Sequence, residues 1–164
     1  MTQERLYELL RYDTETGVFT WKKRTSNRVS VGDRAGHDNG NGYRRINIDG
    51  RSYYEHRLAW LYVYGEFPKR LIDHRDGNGF NNKISNLRQA TCAQNGQNQN
   101  LRATNASGRH GVSWDKSHKK WEAYICCNSR KKHLGLFENI DDAGAAYLKA
   151  KRKLHTFQPI PRDI

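Results

Sequence analysis

The segment from Ile72 to Asn95, IDHRDGNGFNNKISNLRQATCAQN, leaves the chain few ways to fold. It is crowded with Gly, Asn and Asp, which occupy turns through left-handed backbone freedom or side-chain bonds to nearby backbone. No helix runs through DGNG. The residues before it, RLID, read as a brief strand ending at the Asp, Leu87 and Arg88 begin a second strand, and Thr91 is suited to cap a helix containing Asn95. Strand, long loop, strand and helix make a compact ββα hairpin. Within it, Asp73, His74, Asn86 and Asn95 supply hard oxygen donors, a proton acceptor and an orienting amide.

That inventory suits metal-assisted phosphodiester hydrolysis. Water attacking phosphorus must lose a proton, and an imidazole with an ordinary pKa near 6.5 is the side chain best matched to take it at neutral pH. A carboxylate with an amide favours Mg²⁺, which keeps exchangeable waters and reaches phosphate oxygens, over zinc. In an ideal strand Asp73 and His74 point to opposite faces, so the site requires the chain to leave strand geometry at His74. Asp76, Asn78, Asn81 and Asn82 read as residues that shape the loop.

The partner follows from charge. The 164 residues carry a formal net charge of +12, with 29 Lys and Arg against 17 Asp and Glu and a pI near 9.8. Such a field is best used by a long polyanion. A membrane surface is the weaker reading, because no stretch approaches the roughly 20 apolar residues of a span. The N-terminus, MTQERLYELLRYD, lacks the apolar core of a signal peptide, so the expected location is the cytoplasm, without secretion. Cys92, Cys126 and Cys127 form an odd set without a C-x-x-C pair, so reduced thiols are expected, and no structural zinc.

A hydrophobic content of 35% is low for one well-filled core, which favours two small units. Upstream of the hairpin, Leu6, Leu9 and Leu10 share a helical face over residues 3–11, and GVFTWKK alternates like a strand. YRRINI and RSYY flank Asp49-Gly50, a tight two-residue turn. Glu55 to Tyr64 reads as a buried helix stopped by Gly65 and Pro68. Residues 96–108, GQNQNLRATNASG, look like a helix tail fraying into a linker. Beyond it, GVSWDK, KWEAYICC and KKHLGLF read as three strands, followed after Asp141 by a helix bearing Ala143, Ala146, Tyr147, Ala150 and Leu154. Residues 1–100 hold 16 Lys and Arg against 11 acids, and 101–164 hold 13 against 6, so the C-terminal part is the more densely basic.

From His56 to Asn95 the chain resembles the HNH endonucleases, in particular the phage and intron-associated homing branch, whose spacing is D-H, then N, then a final Asn in place of the last His. The upstream stretch GVFTWKKR…GYRRINIDGRSYYEHRLAW shares the likeness. The resemblance implies that Asp73 and Asn95 ligate a divalent cation, that His74 is the general base, and that Asn86 holds the His74 ring. Mg²⁺ is the expected ion, with Mn²⁺ able to substitute. Arg57 and Arg88 are candidate phosphate contacts. His56 either contacts phosphate or caps the helix it begins.

Residues 109–155, HGVSWDKSHKKWEAYICC…KKHLGLFENIDDAGAAYLKAKRKLH, resemble the AP2/ERF DNA-binding domain through Gly111-Val112, Lys120-Trp121, Ile125, Leu134-Gly135, Phe137 and the Ala-rich helix. The likeness implies a three-stranded sheet in the major groove, with Trp114, Lys116, Lys119, Lys120, Arg130, Lys131 and Lys132 as DNA contacts. Ser113, Cys126 and His133 replace the Arg and Trp of plant members, so base preference is not inherited. Trp114 and Trp121 are candidates for stacking, Trp121 being the better core residue.

The expectation is therefore an α+β chain: a ββα-metal domain with its N-terminal helix and hairpin over 1–96, a linker over 97–108, and an AP2-like sheet and helix over 109–164. The function expected is metal-dependent cleavage of double-stranded DNA, by a monomer or a homodimer on DNA, with no membrane partner. The rival from another class is a non-catalytic DNA-binding regulator. RNA is a third option, less suited to a sheet that reads an open major groove.

Overall fold

The computed structural model describes residues 1–99, 101, 104–127 and 130–157, which divide into two compact units, Met1–Thr91 and Cys92–Pro159. Residues 100, 102 and 103 of the expected linker lie outside the described residues. Among the described residues no helix is long and apolar enough to cross a membrane.

The first unit opens with α1 (Gln3–Leu9), where the Thr2 side chain accepts from Arg5 N at 3.3 Å. The helix is shorter than expected. Leu10 belongs to β1 (Leu10–Asp13), which pairs antiparallel with β2 (Val18–Trp21) so that Leu10 faces Trp21 and Tyr12 faces Phe19. Leu6, Leu9 and Leu10 are all buried, but Leu10 and Tyr12 alternate with exposed Arg11 and Asp13, and that two-residue period prevails.

Next come β3 (His37–Asp38), β4 (Arg44–Ile48) and β5 (Arg51–Tyr54), adjacent in that order and antiparallel. Asp49 and Gly50 have φ of 49° and 74°, the left-handed pair that a two-residue hairpin turn needs. Ile46 and Ile48 both face inward. Helix α2 (Glu55–Tyr64) follows β5 directly and ends at Gly65, φ 80°. Its Leu58, Ala59 and Leu61 join Leu6, Leu10, Phe19 and Ile46 in one core, each fully buried Leu contributing roughly 1.5–3 kcal/mol. Trp21 is buried in this core and Trp60 packs against it.

After α2, β6 (Leu71–His74) pairs antiparallel with β7 (Leu87–Ala90), the pair closed by a 3₁₀ turn at Ile84–Asn86. The strand extends one residue beyond the sequence expectation, through His74.

The second unit contains α3 (Cys92–Gln97), then β8 (Val112–Asp115), β9 (Lys120–Cys127) and β10 (Arg130–Phe137), an antiparallel sheet with β9 in the middle, and α4 (Ile140–Leu154). Helix α4 begins one residue before Asp141, because Asn139 caps it by accepting from Asp141 N at 2.7 Å. Asp141 and Asp142 in its first turn and Lys151, Arg152 and Lys153 in its last complement the helix dipole. Val112 and Ala123 of the sheet and Ala143 of the helix form the core, with Trp121, Leu134, Phe137 and Ile140 packed around them. The three cysteines are free.

Candidate active site

Asp73 and His74 are the last two residues of β6 and both are buried, in register with Arg88 and Leu87 of β7. The chain keeps strand geometry through His74, contrary to the expected departure, and the two side chains meet different partners. Arg88 Nε donates to Asp73 Oδ2 at 2.7 Å. His74 Nε2 lies 3.0 Å from Asn82 Oδ1. Burial pushes His74 below the ordinary imidazole range, opposed by the Asn82 bond and the charges of Asp76 and Asp73. Burial thus favours the neutral ring, the state a general base requires.

Asn82, assigned from sequence to loop shaping, is 1% exposed and is the amide that meets the His74 ring. Asn86 was the expected partner and is committed elsewhere. Its amide donates to Asp76 Oδ1 at 3.0 Å and to Asn81 O at 2.8 Å, and its Oδ1 accepts from Asp76 N at 3.1 Å. The physical reason is position: Asn86 ends the 3₁₀ turn and closes the loop across its base. Asp76 also accepts from Asn78 N at 2.8 Å and from Asn81 Nδ2 at 2.7 Å. Burial raises the Asp76 pKa, but these bonds outweigh it and hold the carboxyl below its usual range. Asp76, Asn78 and Asn81 thus shape the loop as expected.

The loop is also gripped from outside. Tyr12 Oη donates to Asn82 O at 2.7 Å. A Cβ on Gly17 would lie 2.4 Å from Lys83 N, and one on Gly79 would lie 2.2 Å from Gly42 O, so both glycines permit backbone contacts no other residue would allow.

Behind Asn82 sits Glu55, fully buried at the start of α2. Asn82 Nδ2 donates to Glu55 Oε2 at 3.1 Å, and Arg44 Nε stands 3.2 Å from the same oxygen. Burial pushes Glu55 upward against the pull of Arg44 and Arg34.

His56 is 9% exposed, with its ring 5.2 Å from that of His74, edge to face, and 5.3 Å from that of Tyr54 in a stack. Burial pushes its pKa down to about 3, the charges of His74 and Arg57 adding to the effect. It is thus a neutral wall of the site and supplies no charge to a phosphate. Arg57 is half-buried over the Phe67 ring, 5.7 Å from its centroid, and Arg88 is held by Asp73.

No three or more His, Cys, Asp or Glu side chains gather where a metal could sit among the described residues. The first unit nevertheless offers a hard donor in Asp73, whose carboxylate has acceptor capacity for more than one partner. One carboxylate fits an ion of the Mg²⁺ kind, which retains most of its water and completes its shell with phosphate. Asn95, the other expected ligand, lies on α3 in the second unit.

On the sheet of the second unit, Glu122, Tyr124, Lys131 and His133 share the side away from α4, by their register. Lys131 Nζ donates to both Glu122 oxygens at 3.1 Å and lies 4.1 Å from the Tyr124 centroid. His133 Nδ1 is 3.2 Å from Glu122 Oε1. Arg130, Lys131 and Lys132, all expected as DNA contacts of the sheet, are divided by the pleat: Arg130 and Lys132 pair with Cys127 and Ile125 and so lie on the other side, although exposed. Lys116 and Lys119 are exposed in the β8–β9 turn, Lys120 pairs with Glu138 at 2.9 Å, and Trp114 is 48% exposed with its ring against Trp121.

Comparison with known proteins agrees with the ββα reading. The family model described as HNH endonuclease matches residues 53–97, from the end of β5 through α3. HNH nucleases generally use divalent metal ions. Over 101 residues the chain is 32% identical to protein 3.8 of Escherichia phage T7, a match covering 61% of this chain and 83% of that protein. The chain belongs to the family of that phage protein. A solved structure of the HNH homing endonuclease I-HmuI, from work on its DNA binding and cleavage, is similar with 23% identity and a TM-score of 0.42, covering 76% of this chain and 71% of the other.

Proposed function

We propose that the chain is a divalent-metal-dependent endonuclease that hydrolyses phosphodiester bonds in double-stranded DNA. The observation that carries this is the pair of buried residues Asp73 and His74 at the end of β6, inside the HNH endonuclease match. His74 accepts the proton of the attacking water, a contribution of typically 10² to 10⁴ in rate. Asp73 would hold the ion, which would supply stabilisation of the charge that develops on the phosphate and the departing 3′ oxygen. Asn86, Asp76 and Asn81 keep the loop closed around the base, and Arg88 aims the Asp73 carboxylate. His56 and Tyr54 form an uncharged flank that limits water at the ring.

The second unit is the DNA-recruiting part, an AP2-like sheet and helix in this reading. It is supported by the three-stranded antiparallel sheet with α4 on one side, the exposed Lys116 and Lys119 of the turn, and the half-exposed Trp114. Tethering such a unit to the nuclease raises the local concentration of the catalytic site near DNA. Incubation of supercoiled plasmid with the full chain, with Mg²⁺ and with chelator, tests the proposal. Nicked or linear product only with the metal supports it, and DNA binding without cleavage under either condition makes the chain a non-catalytic DNA-binding regulator instead.

A further inference from the structure

The ring of His74 can donate from either nitrogen, and only one choice leaves a given nitrogen able to take a proton. Four contacts decide the matter. Glu55 Oε2 stands 3.2 Å from Arg44 Nε in an ion pair, and a carboxylate oxygen held by a guanidinium charge is an acceptor. The Asn82 group 3.1 Å from that oxygen must then be its NH₂. The amide consequently turns its oxygen to His74 at 3.0 Å, and the nitrogen facing an oxygen must carry the hydrogen. Tyr12 anchors the Asn82 backbone through the 2.7 Å bond to its carbonyl, and the residue is 1% exposed, so the amide sits enclosed.

We infer that Asn82, oriented by the buried Glu55–Arg44 pair, is a positioning residue that fixes His74 as the Nε2–H tautomer and makes Nδ1 the proton-accepting nitrogen. The inference rests on the proposed role of His74 as general base. Neither Asn82 nor Glu55 touches the reacting atoms; they act through the ring. The chain thereby uses a fully buried acid, otherwise costly inside a fold, to impose direction on an amide that has none of its own.

The test uses the full-length protein with ¹⁵N-labelled histidine, read by long-range ¹H–¹⁵N correlation at neutral pH, with the His74 signal assigned by its loss in His74→Gln. The wild type is expected to show hydrogen on Nε2. Asn82→Ala, which keeps the backbone carbonyl that Tyr12 holds, is expected to lose that single pattern. Its kcat for plasmid cleavage in Mg²⁺ should fall about 10- to 100-fold. KM should stay within about twofold, because the amide acts on the chemistry and not on DNA binding. Glu55→Gln retains an oxygen for Asn82 and should keep the wild-type pattern, whereas Glu55→Ala should lose it. Hydrogen on Nδ1 in the wild type overturns the inference without any variant having to fold. So does Asn82→Ala with an unchanged tautomer, whether or not its stability drops. A wild type that shows the Nε2–H ring but cleaves nothing with Mg²⁺ overturns the endonuclease reading instead, and leaves the assignment of the ring intact.

Discussion

Arg88 Nε and Asp73 Oδ2 are 2.7 Å apart across the β6–β7 pair, both side chains largely removed from water. A cation at Asp73 must therefore share a carboxylate that a guanidinium already holds. Arg88 thus acts as the fixed partner that orients the Asp73 carboxylate across the strand pair.

Breaking this pair from one side is expected to be expensive. Arg88→Ala leaves the Asp73 charge buried without its guanidinium and should destabilise the first unit by about 3–5 kcal/mol. Urea denaturation followed by tryptophan fluorescence measures this, and a loss below about 1 kcal/mol would show the pair to be no more than a surface contact.

His74→Ala should remove plasmid cleavage, by at least about 10² in rate, while leaving affinity for the same DNA nearly unchanged. Gel-shift titration beside a nicking assay separates the two quantities. Wild-type nicking by this variant in Mg²⁺ would exclude the imidazole as base.

The pH dependence of cleavage follows from the downward shift of His74. A base works only when unprotonated, so activity should rise with pH through an inflection below the ordinary 6.5 and stay level above it. His56 adds a stability effect of the same sign. Its folded pKa of about 3 lies below the unfolded 6.5, so between these values the unfolded chain binds more protons, and stability falls as the pH falls through that window. Melting temperature against pH should show this slope, and His56→Gln should flatten it.

Gly17→Ala should be costly despite its small size. The new Cβ meets Lys83 N at 2.4 Å and the backbone has φ +73°, so the loop carrying Asn82 has to move. A loss of roughly 1–3 kcal/mol is expected, with reduced cleavage at temperatures where the variant is still folded. A variant with wild-type melting temperature and activity would show that the loop tolerates displacement.

Lys116 and Lys119, exposed in the β8–β9 turn, are the residues from which a salt-dependent DNA affinity is expected. Each change to Ala should reduce the slope of log K against log salt by roughly one if the residue neutralises one phosphate. Slopes equal to that of the wild type would place the DNA elsewhere.

Where local chemistry decided the backbone, the sequence was readable. Asp49-Gly50 demanded a tight hairpin and formed one, and Gly65 stopped α2. Leu10 was misleading, because Leu6, Leu9 and Leu10 satisfy a helical face while Leu10 and Tyr12 equally satisfy a strand, and only the pairing with β2 chooses. At the candidate site, Asp73 and His74 stood out through residue type alone, and the structure buries both. The division of work between Asn82 and Asn86 was not legible: both are amides near turn formers, and their roles depend on Glu55 and Tyr12, partners distant in sequence. Glu55 itself gave only the signal of an acid at the head of an apolar helix, which dipole stabilisation already accounts for. The three basic residues Arg130 to Lys132 were read by charge alone, without applying the two-residue period of the strand that holds them.

The grip of Tyr12, Gly17 and Gly42 on the loop makes the candidate site a property of the whole first unit rather than of its motif. Residues 53–97 carry the recognisable motif, yet three of the contacts that hold its loop come from the first half of this unit. A fragment confined to the motif would therefore be a poor cassette for transplantation.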